Sequence, residues 1–313
     1  MKDKFKWLGQ ILSTGGLAES AAATVEAREG KIRGACLEIS YIVNDWRARV
    51  VGGMETALLL WELCCIPSLL HGAGTWVDIS AATEKKLNKI QNWYFRLVLQ
   101  VGPGASLAAM SWDFMMLDMS IRVKIEKVML VIYIRNLENT TLARRIYEEQ
   151  KLKGWPGLAA ETSSICQYLQ IEDCNQTNIN KDDYKTVLIQ ACHLRNEEKL
   201  RVMAQGKCAR INHEKYGRKD YIQKKNIFHV RQQFRARFGL QAFAGNYSHD
   251  RRFAGSQWLC KCQEAREEES HLISGQCKVY GDLALQYSDL TNDDNLVQFF
   301  SDVLARRDQL DKE

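Results

Sequence analysis

Residues Ser80 to Val101 read SAATEKKLNKIQNWYFRLVLQV, and this stretch decides the fold class. Ser80 followed by Thr83-Glu84 is a helix start, because a short hydroxyl can accept the first unpaired backbone N–H groups. Leu87, Ile90, Tyr94, Leu97 and Val101 then recur on one face at helical spacing. Gly102-Pro103-Gly104 closes the run. The same period appears on either side. Ala27, Ile32, Ala35 and Ile39 form a looser stripe upstream, and Met54, Leu58, Trp61 and Cys65 a sharper one. Downstream, Asp118 precedes a stripe of Ile121, Ile125, Val128 and Ile132, a position from which it can cap that helix.

With only three prolines in 313 residues and abundant Leu, Ala, Arg, Lys and Glu, the chain reads as mainly α. The expected order is a short strand and turn over residues 1–17, closing at Gly15-Gly16, then a helical bundle over 18–150. A helical connector follows over 151–205, set off by Trp155-Pro156-Gly157, with a polar loop from Asp173 to Asp183 and a helix from Tyr184 to about Met203. A basic segment over 206–255, a Cys/His module over 256–281 and an acidic helical tail over 282–313 complete it.

Composition sets further bounds. An apolar share of 46% and a charged share of 26% are ordinary for a globular protein. No signal peptide is expected, since Gly9, Gln10 and Ser13 break the apolar stretch that follows Lys2, Lys4 and Lys6. No membrane span or membrane partner is expected either, because Thr56–Leu70 contains Glu62 and Pro67. The location is therefore read as intracellular, nuclear or cytoplasmic, and the ten cysteines as thiols or metal ligands rather than disulfides. Cys36, Cys64, Cys65 and Cys192 sit among apolar residues and read as core thiols.

Charge is placed unevenly. Residues 210–252 carry eleven Lys or Arg against three acids, a balance of +8, whereas residues 282–313 balance at −5. In the basic segment Ile227, Val230, Phe234 and Phe238 define the buried side of a helix. Lys224, Lys225, Arg231, Arg235 and Arg237 fall largely off that stripe, where they can meet phosphates, and Arg251 and Arg252 extend the set. Tyr216, Tyr221, Phe243, Tyr247 and Trp258 lie close enough in sequence to stack on bases. Directly after come Cys260, Cys262, His271 and Cys277, spaced C-x-C-x8-H-x5-C. Three thiols and an imidazole are the donor set of a closed, tetrahedral structural zinc site. Gly275 supplies backbone freedom next to the last ligand.

Catalytic patterns are missing. Neither G-x-S-x-G, H-E-x-x-H nor a phosphate-binding Walker loop occurs. Asp182-Asp183 and Asp293-Asp294 are adjacent acid pairs, but their polar surroundings mark them as solvated. No small-molecule substrate is expected.

Phe5-Lys6-Trp7-Leu8-Gly9-Gln10 resembles the hairpin that follows the catalytic Asp-Asp strands in non-LTR (LINE-type) retrotransposon reverse transcriptases, worded F-K-Y-L-G there, with Trp7 in place of Tyr. Cys260, Cys262, His271 and Cys277 resemble the Cys-Cys-His-Cys knuckle near the C-terminus of many such polyproteins. Opening motif, helical body and knuckle follow in the same order over nearly the whole chain. The resemblance implies a palm-end hairpin over 1–17, a thumb-like bundle over 18–150 and a zinc-knuckle-like module. It also implies that the metal-binding Y-x-D-D carboxylates and an endonuclease lie upstream of Met1. This portion is then expected to lack polymerase activity by itself, since phosphoryl transfer needs those carboxylates, although the parent protein would be an RNA-directed DNA polymerase.

The sequence therefore supports an RNA- or DNA-binding helical chain with a structural Zn2+, gripping template–primer, element RNA or target DNA. Its rival is a helical protein-interaction scaffold in which the zinc module and acidic tail bind other proteins.

Overall fold

A computed structural model describes residues 4–44, 53–102, 105–174, 180–204, 216–224, 227–238, 259–265, 269–287, 289–290, 292–310. The fold is mainly α, and among these residues the strands form a single two-stranded hairpin. The chain divides into two compact units. The first gathers residues 1–48, 55–98 and 107–219, and the second gathers 49–54, 99–106 and 220–313.

The first unit opens with strands β1 (Lys4–Trp7) and β2 (Gln10–Ser13), paired antiparallel with Phe5 opposite Leu12. The reversal occurs at Leu8 and Gly9, both in left-handed backbone with φ of +46° and +79°. Two consecutive left-handed residues are what a tight hairpin turn requires, and glycine takes the second without a Cβ penalty. The chain turns at Gly15-Gly16 after β2 ends, and helix α1 (Leu17–Asn44) follows, with Gly16 O accepting the Ser20 N–H at 3.0 Å. The free edge of β2 does not stay open. Its Ile11 N–H donates to Thr24 Oγ1 and its Ser13 N–H to Ser20 Oγ, both at 2.8 Å, so α1 side chains satisfy the strand's spare donors.

Helices α2 (Gly53–Leu60) and α3 (Ile66–Leu70) are joined without a break by a π-helical turn at Trp61–Cys65. Met54, Leu58, Trp61 and Cys65 are all buried, as their spacing predicts. Cys36 and Cys65 are core thiols with sulfurs 4.0 Å apart, whereas Cys64 is exposed on the opposite side of its turn. Gly53–Leu70 is the one helix among the described residues long and apolar enough to cross a membrane, and half of it is buried inside the protein. Helix α4 (Ala81–Leu99) starts where the hydroxyl of Ser80 accepts the Thr83 N–H at 3.2 Å. Its buried side is Leu87, Ile90, Tyr94, Phe95 and Val98, while Leu97 and Val101 are half-exposed. Tyr94 stacks on Trp61 at 4.8 Å and donates to Ala57 O at 2.7 Å.

Helices α5 (Leu107–Asp113), α6 (Met119–Arg135), α7 (Leu142–Lys153), α8 (Leu158–Leu169) and α9 (Lys181–Ala204) complete this unit. Asp118 precedes α6 but makes no side-chain cap; it pairs with Lys199 instead. From α6 to α9 the apolar side chains form one continuous core that includes Val128, Ile132, Tyr147, Ile165, Leu169 and Leu188. The turn at Trp155-Pro156-Gly157, whose Trp155 and Pro156 are exposed, thus joins helices that share one core and does not separate a bundle from a connector. Helix α9 begins three residues before Tyr184, because Asn180 Oδ1 accepts the Asp182 N–H at 3.0 Å. Asp182 and Asp183 are exposed in its first turn, the solvated placement the sequence predicts.

Two polar clusters lie inside this unit. Lys127, 3% exposed, pairs with Glu161 at 2.6 Å, and Glu161 also accepts the Asp78 N–H. The second cluster joins His193, Asn196 and Tyr216. Asn196 Nδ2 donates to Tyr216 Oη at 3.0 Å and to Met116 O at 2.8 Å, and Tyr216 Oη lies 3.3 Å from His193 Nδ1.

Candidate metal centre and basic helix

The second unit is built on α10 (Asp220–Lys224), α11 (Ile227–Arg237), α12 (Glu269–Ile273), α13 (Gly281–Gln286) and α14 (Asp293–Leu310). Its site begins at a turn. Gln263 adopts φ +62°, and its N–H donates back to Cys260 O at 2.8 Å. That tight reversal lets two cysteines one residue apart aim at a common point. Helix α12 carries His271, and the chain after it turns through Gly275 at φ +71° to bring Cys277 back. Cys277 O accepts the Gly281 N–H at 2.7 Å, which starts α13 directly behind the last thiol. A Cβ at Gly281 would lie 2.5 Å from Gly275 O, so this close approach requires glycine.

Cys260, Cys262, His271 and Cys277 lie close enough to hold a metal ion, with all four donor atoms within 4.8 Å of one another. Cys260 Sγ and Cys277 Sγ are 3.5 Å apart, and Cys262 Sγ lies 3.3 Å from His271 Nε2. Two thiolates sharing a tetrahedral zinc at the usual bond length stand about 3.8 Å apart, so the observed edges are close to those of such a site. Cys260 and Cys277 are buried, while Cys262 and His271 are half-buried. The thiols are electrostatically unequal. Burial pushes Cys260 up, with the neighbouring Cys262 and Cys277 sulfurs adding to it. At Cys262 burial also pushes upward, but the Glu264 backbone N–H and hydrogen bonds with Cys260, His271 and Cys277 outweigh it and bring the thiol down to about 7.

The centre rests on an apolar core that the acid count of the tail conceals. Leu296, Phe299, Phe300 and Val303 of α14, spaced i, i+3, i+4, i+7, pack with Leu272, Tyr280 and Leu283 against Cys260 and Cys277. Helices α13 and α14 are thus the floor of the metal module and not a separate acidic tail. Arg306 fastens that floor, donating to Asp282 through both Nη atoms at 2.5 and 2.8 Å and to Val279 O at 2.9 Å. Asn292 Oδ1 accepts the Asp294 N–H at 2.9 Å and so caps α14; Asp294 is exposed.

Helix α11 packs against α14. Ile227, Val230 and Phe234 are buried as its stripe predicts, with Phe238 half-buried just beyond it. Its arginines depart from expectation. Arg231 and Arg237 are each only 7% exposed. Burial, with Arg235 nearby adding, pushes the Arg231 guanidinium down to about 10. Arg237 lies 5.7 Å from the ring centre of Tyr221 and 5.5 Å from that of Phe238, a cation–π placement. Arg235 is half-exposed and donates to Gln100 O at 2.7 Å. Arg231 and Arg237 are therefore inside the unit and do not form a solvated face. The side chain of Lys224, and Lys225, Arg251 and Arg252 altogether, lie outside the described residues. Among the aromatic residues named for stacking, Tyr221 is buried and Tyr216 belongs to the His193–Asn196 cluster of the first unit; Phe243, Tyr247 and Trp258 lie outside the described residues.

In comparison with known proteins, no family model matches this chain, no curated protein matches it significantly, and no solved structure matches its fold.

Proposed function

We propose that this chain binds nucleic acid through its C-terminal unit, and that Cys260, Cys262, His271 and Cys277 hold a structural zinc that fixes that unit's shape. The convergence of four donor atoms within 4.8 Å is the observation that carries this reading. Thiolate and imidazole donors favour zinc over harder cations. Four protein donors leave no position for substrate, so the role is structural rather than catalytic.

The nucleic-acid half of the reading rests on the +8 balance of residues 210–252, which run directly into the metal module. It rests also on the resemblance to the post-catalytic part of a non-LTR reverse transcriptase, which would grip template–primer, element RNA or target DNA. With Arg231 and Arg237 packed inside, the phosphate contacts are assigned to Lys224, Lys225, Arg251 and Arg252, with Arg235 at the margin. The burial of those two arginines is also what favours the rival, a protein-interaction scaffold.

Salt dependence separates the two. Each phosphate contact releases counterions, and the log–log slope of affinity against salt changes by about 0.9 per contact on duplex DNA. Affinity for single-stranded RNA and duplex DNA is to be measured over a salt series, for the full chain and for Lys224→Gln/Lys225→Gln/Arg251→Gln/Arg252→Gln. The expected result is binding that weakens steeply with salt, a slope flatter by about 3–4 in the quadruple variant on duplex DNA, and similar losses across sequences. Absence of binding at low salt, or an unchanged slope, leaves the scaffold reading.

A further inference from the structure

We propose a second metal site in the N-terminal unit, formed by Cys166, Asp173 and Cys174 and suited to zinc. The Sγ atoms of both cysteines and a carboxylate oxygen of Asp173 lie within 4.8 Å of one another. The two thiols are deeply buried, at 1% and 0% exposure, and Asp173 is half-buried at their edge. Two soft sulfurs and one carboxylate select a thiophilic divalent cation, and three protein donors leave the fourth tetrahedral position to water.

Buried thiols are usually packing groups, and the Cys36–Cys65 pair shows what that looks like. Its sulfurs are 4.0 Å apart, yet it gathers no third donor within the same reach among the described residues. At Cys166 and Cys174 a carboxylate has been brought against the sulfurs. A thiol S–H donates only weakly to a carboxylate, whereas a cation between them pairs with all three donors.

The supports of each donor point the same way. Cys166 lies near the end of α8, and its carbonyl accepts the Ile171 N–H at 3.1 Å, turning the chain back so that residues 173–174 face it. Ser163, one turn earlier on α8, donates to Asp173 Oδ2 at 3.0 Å. From α6, Arg135 donates to Cys174 O at 2.5 Å, and from α9 the Tyr184 hydroxyl donates to Glu172 O at 2.5 Å. Three helices thus hold a short turn in which each donor has its own anchor. Metal sites use such outer hydrogen bonds to orient their donors.

Metal content of the full chain tests this. Wild type prepared with zinc should carry two ions per chain, falling to one in Cys174→Ser and to one in Cys262→Ser/His271→Ala. The ion kept by the latter variant, exchanged for cobalt, should show thiolate-to-cobalt charge transfer. Adding Asp173→Asn, a change at the half-buried edge, should weaken that cobalt binding by at least the roughly tenfold that outer-sphere losses cost. One ion per chain in wild type, with a full count kept in Cys174→Ser, overturns the proposal. So does a retained ion indifferent to Asp173→Asn. Should Cys262→Ser/His271→Ala not fold, the counts for wild type and for Cys174→Ser alone decide the matter: two against one supports the site, and equal counts refute it.

Discussion

Tyr216 is the hinge of a half-buried proton-sensitive contact. Asn196 Nδ2 donates to its oxygen, which also lies 3.3 Å from His193 Nδ1. Burial holds the His193 imidazole below its ordinary value, and the nearby Arg122 adds to the effect. Burial likewise pushes the Tyr216 hydroxyl up to about 12, so it stays protonated throughout. The sign follows directly. The folded state binds the His193 proton less readily than the unfolded chain, so its contribution is complete above the unfolded value near 6.5 and is lost as pH falls below it. Melting temperature measured from pH 7.5 to 5.5 should therefore drop more in wild type than in His193→Gln, which takes up no proton. Parallel curves for the two proteins would show that this contact does not couple to folding. Little of this is legible in the sequence, since His193 and Tyr216 are 23 residues apart and meet only through the path of α9.

Among the elements, what could be read depended on how many apolar positions a helix repeats. Met54, Leu58, Trp61 and Cys65 predict their burial correctly, and so do Ile121, Val128 and Ile132. In α4 the spacing of Leu87, Ile90 and Tyr94 is sound, but carrying it to Leu97 and Val101 drifts off the buried side, which continues through Phe95 and Val98 as a 3.6-residue turn demands. The arginines of α11 mislead for a physical reason: a guanidinium can sit over an aromatic ring and be buried while charged, as Arg237 does over Tyr221. The ligand spacing of the metal turn was plain, yet its tightest constraint was not. Gly281 matters more than Gly275, because a Cβ there meets a backbone carbonyl that cannot move aside cheaply. Gly281→Ala should cost roughly 1–3 kcal/mol of stability, the range for forcing atoms into a packed site. Gly275→Asn should cost less, since asparagine tolerates left-handed backbone and a Cβ there meets no atom within 4 Å. Thermal unfolding of both variants checks the order, and an equal or reversed cost would mean that the turn relaxes.

For the molecule as a whole, the division into two units makes a stability prediction that a single cooperative core would not. The first unit has extensive apolar cores of its own, running through α1 to α9. Among its described residues the second unit has a cluster of ten buried side chains around the centre, two of which, Cys260 and Cys277, are metal donors, and five more buried apolar residues on α10 and α11. So small a core yields little stability unaided, and zinc-finger-sized modules draw on the order of 10–16 kcal/mol from their metal at neutral pH. Loss of the centre should therefore unfold the C-terminal module selectively. In Cys262→Ser/His271→Ala, which leaves Cys166, Asp173 and Cys174 untouched, amide hydrogen exchange should accelerate across α12, α13 and α14. Exchange in α1, α4 and α6 should stay at the wild-type rate, because their packing does not include the removed donors. Acceleration throughout the chain would make the two units one cooperative body, and unchanged exchange in α14 would show that Leu296, Phe299, Phe300 and Val303 hold the module without a metal.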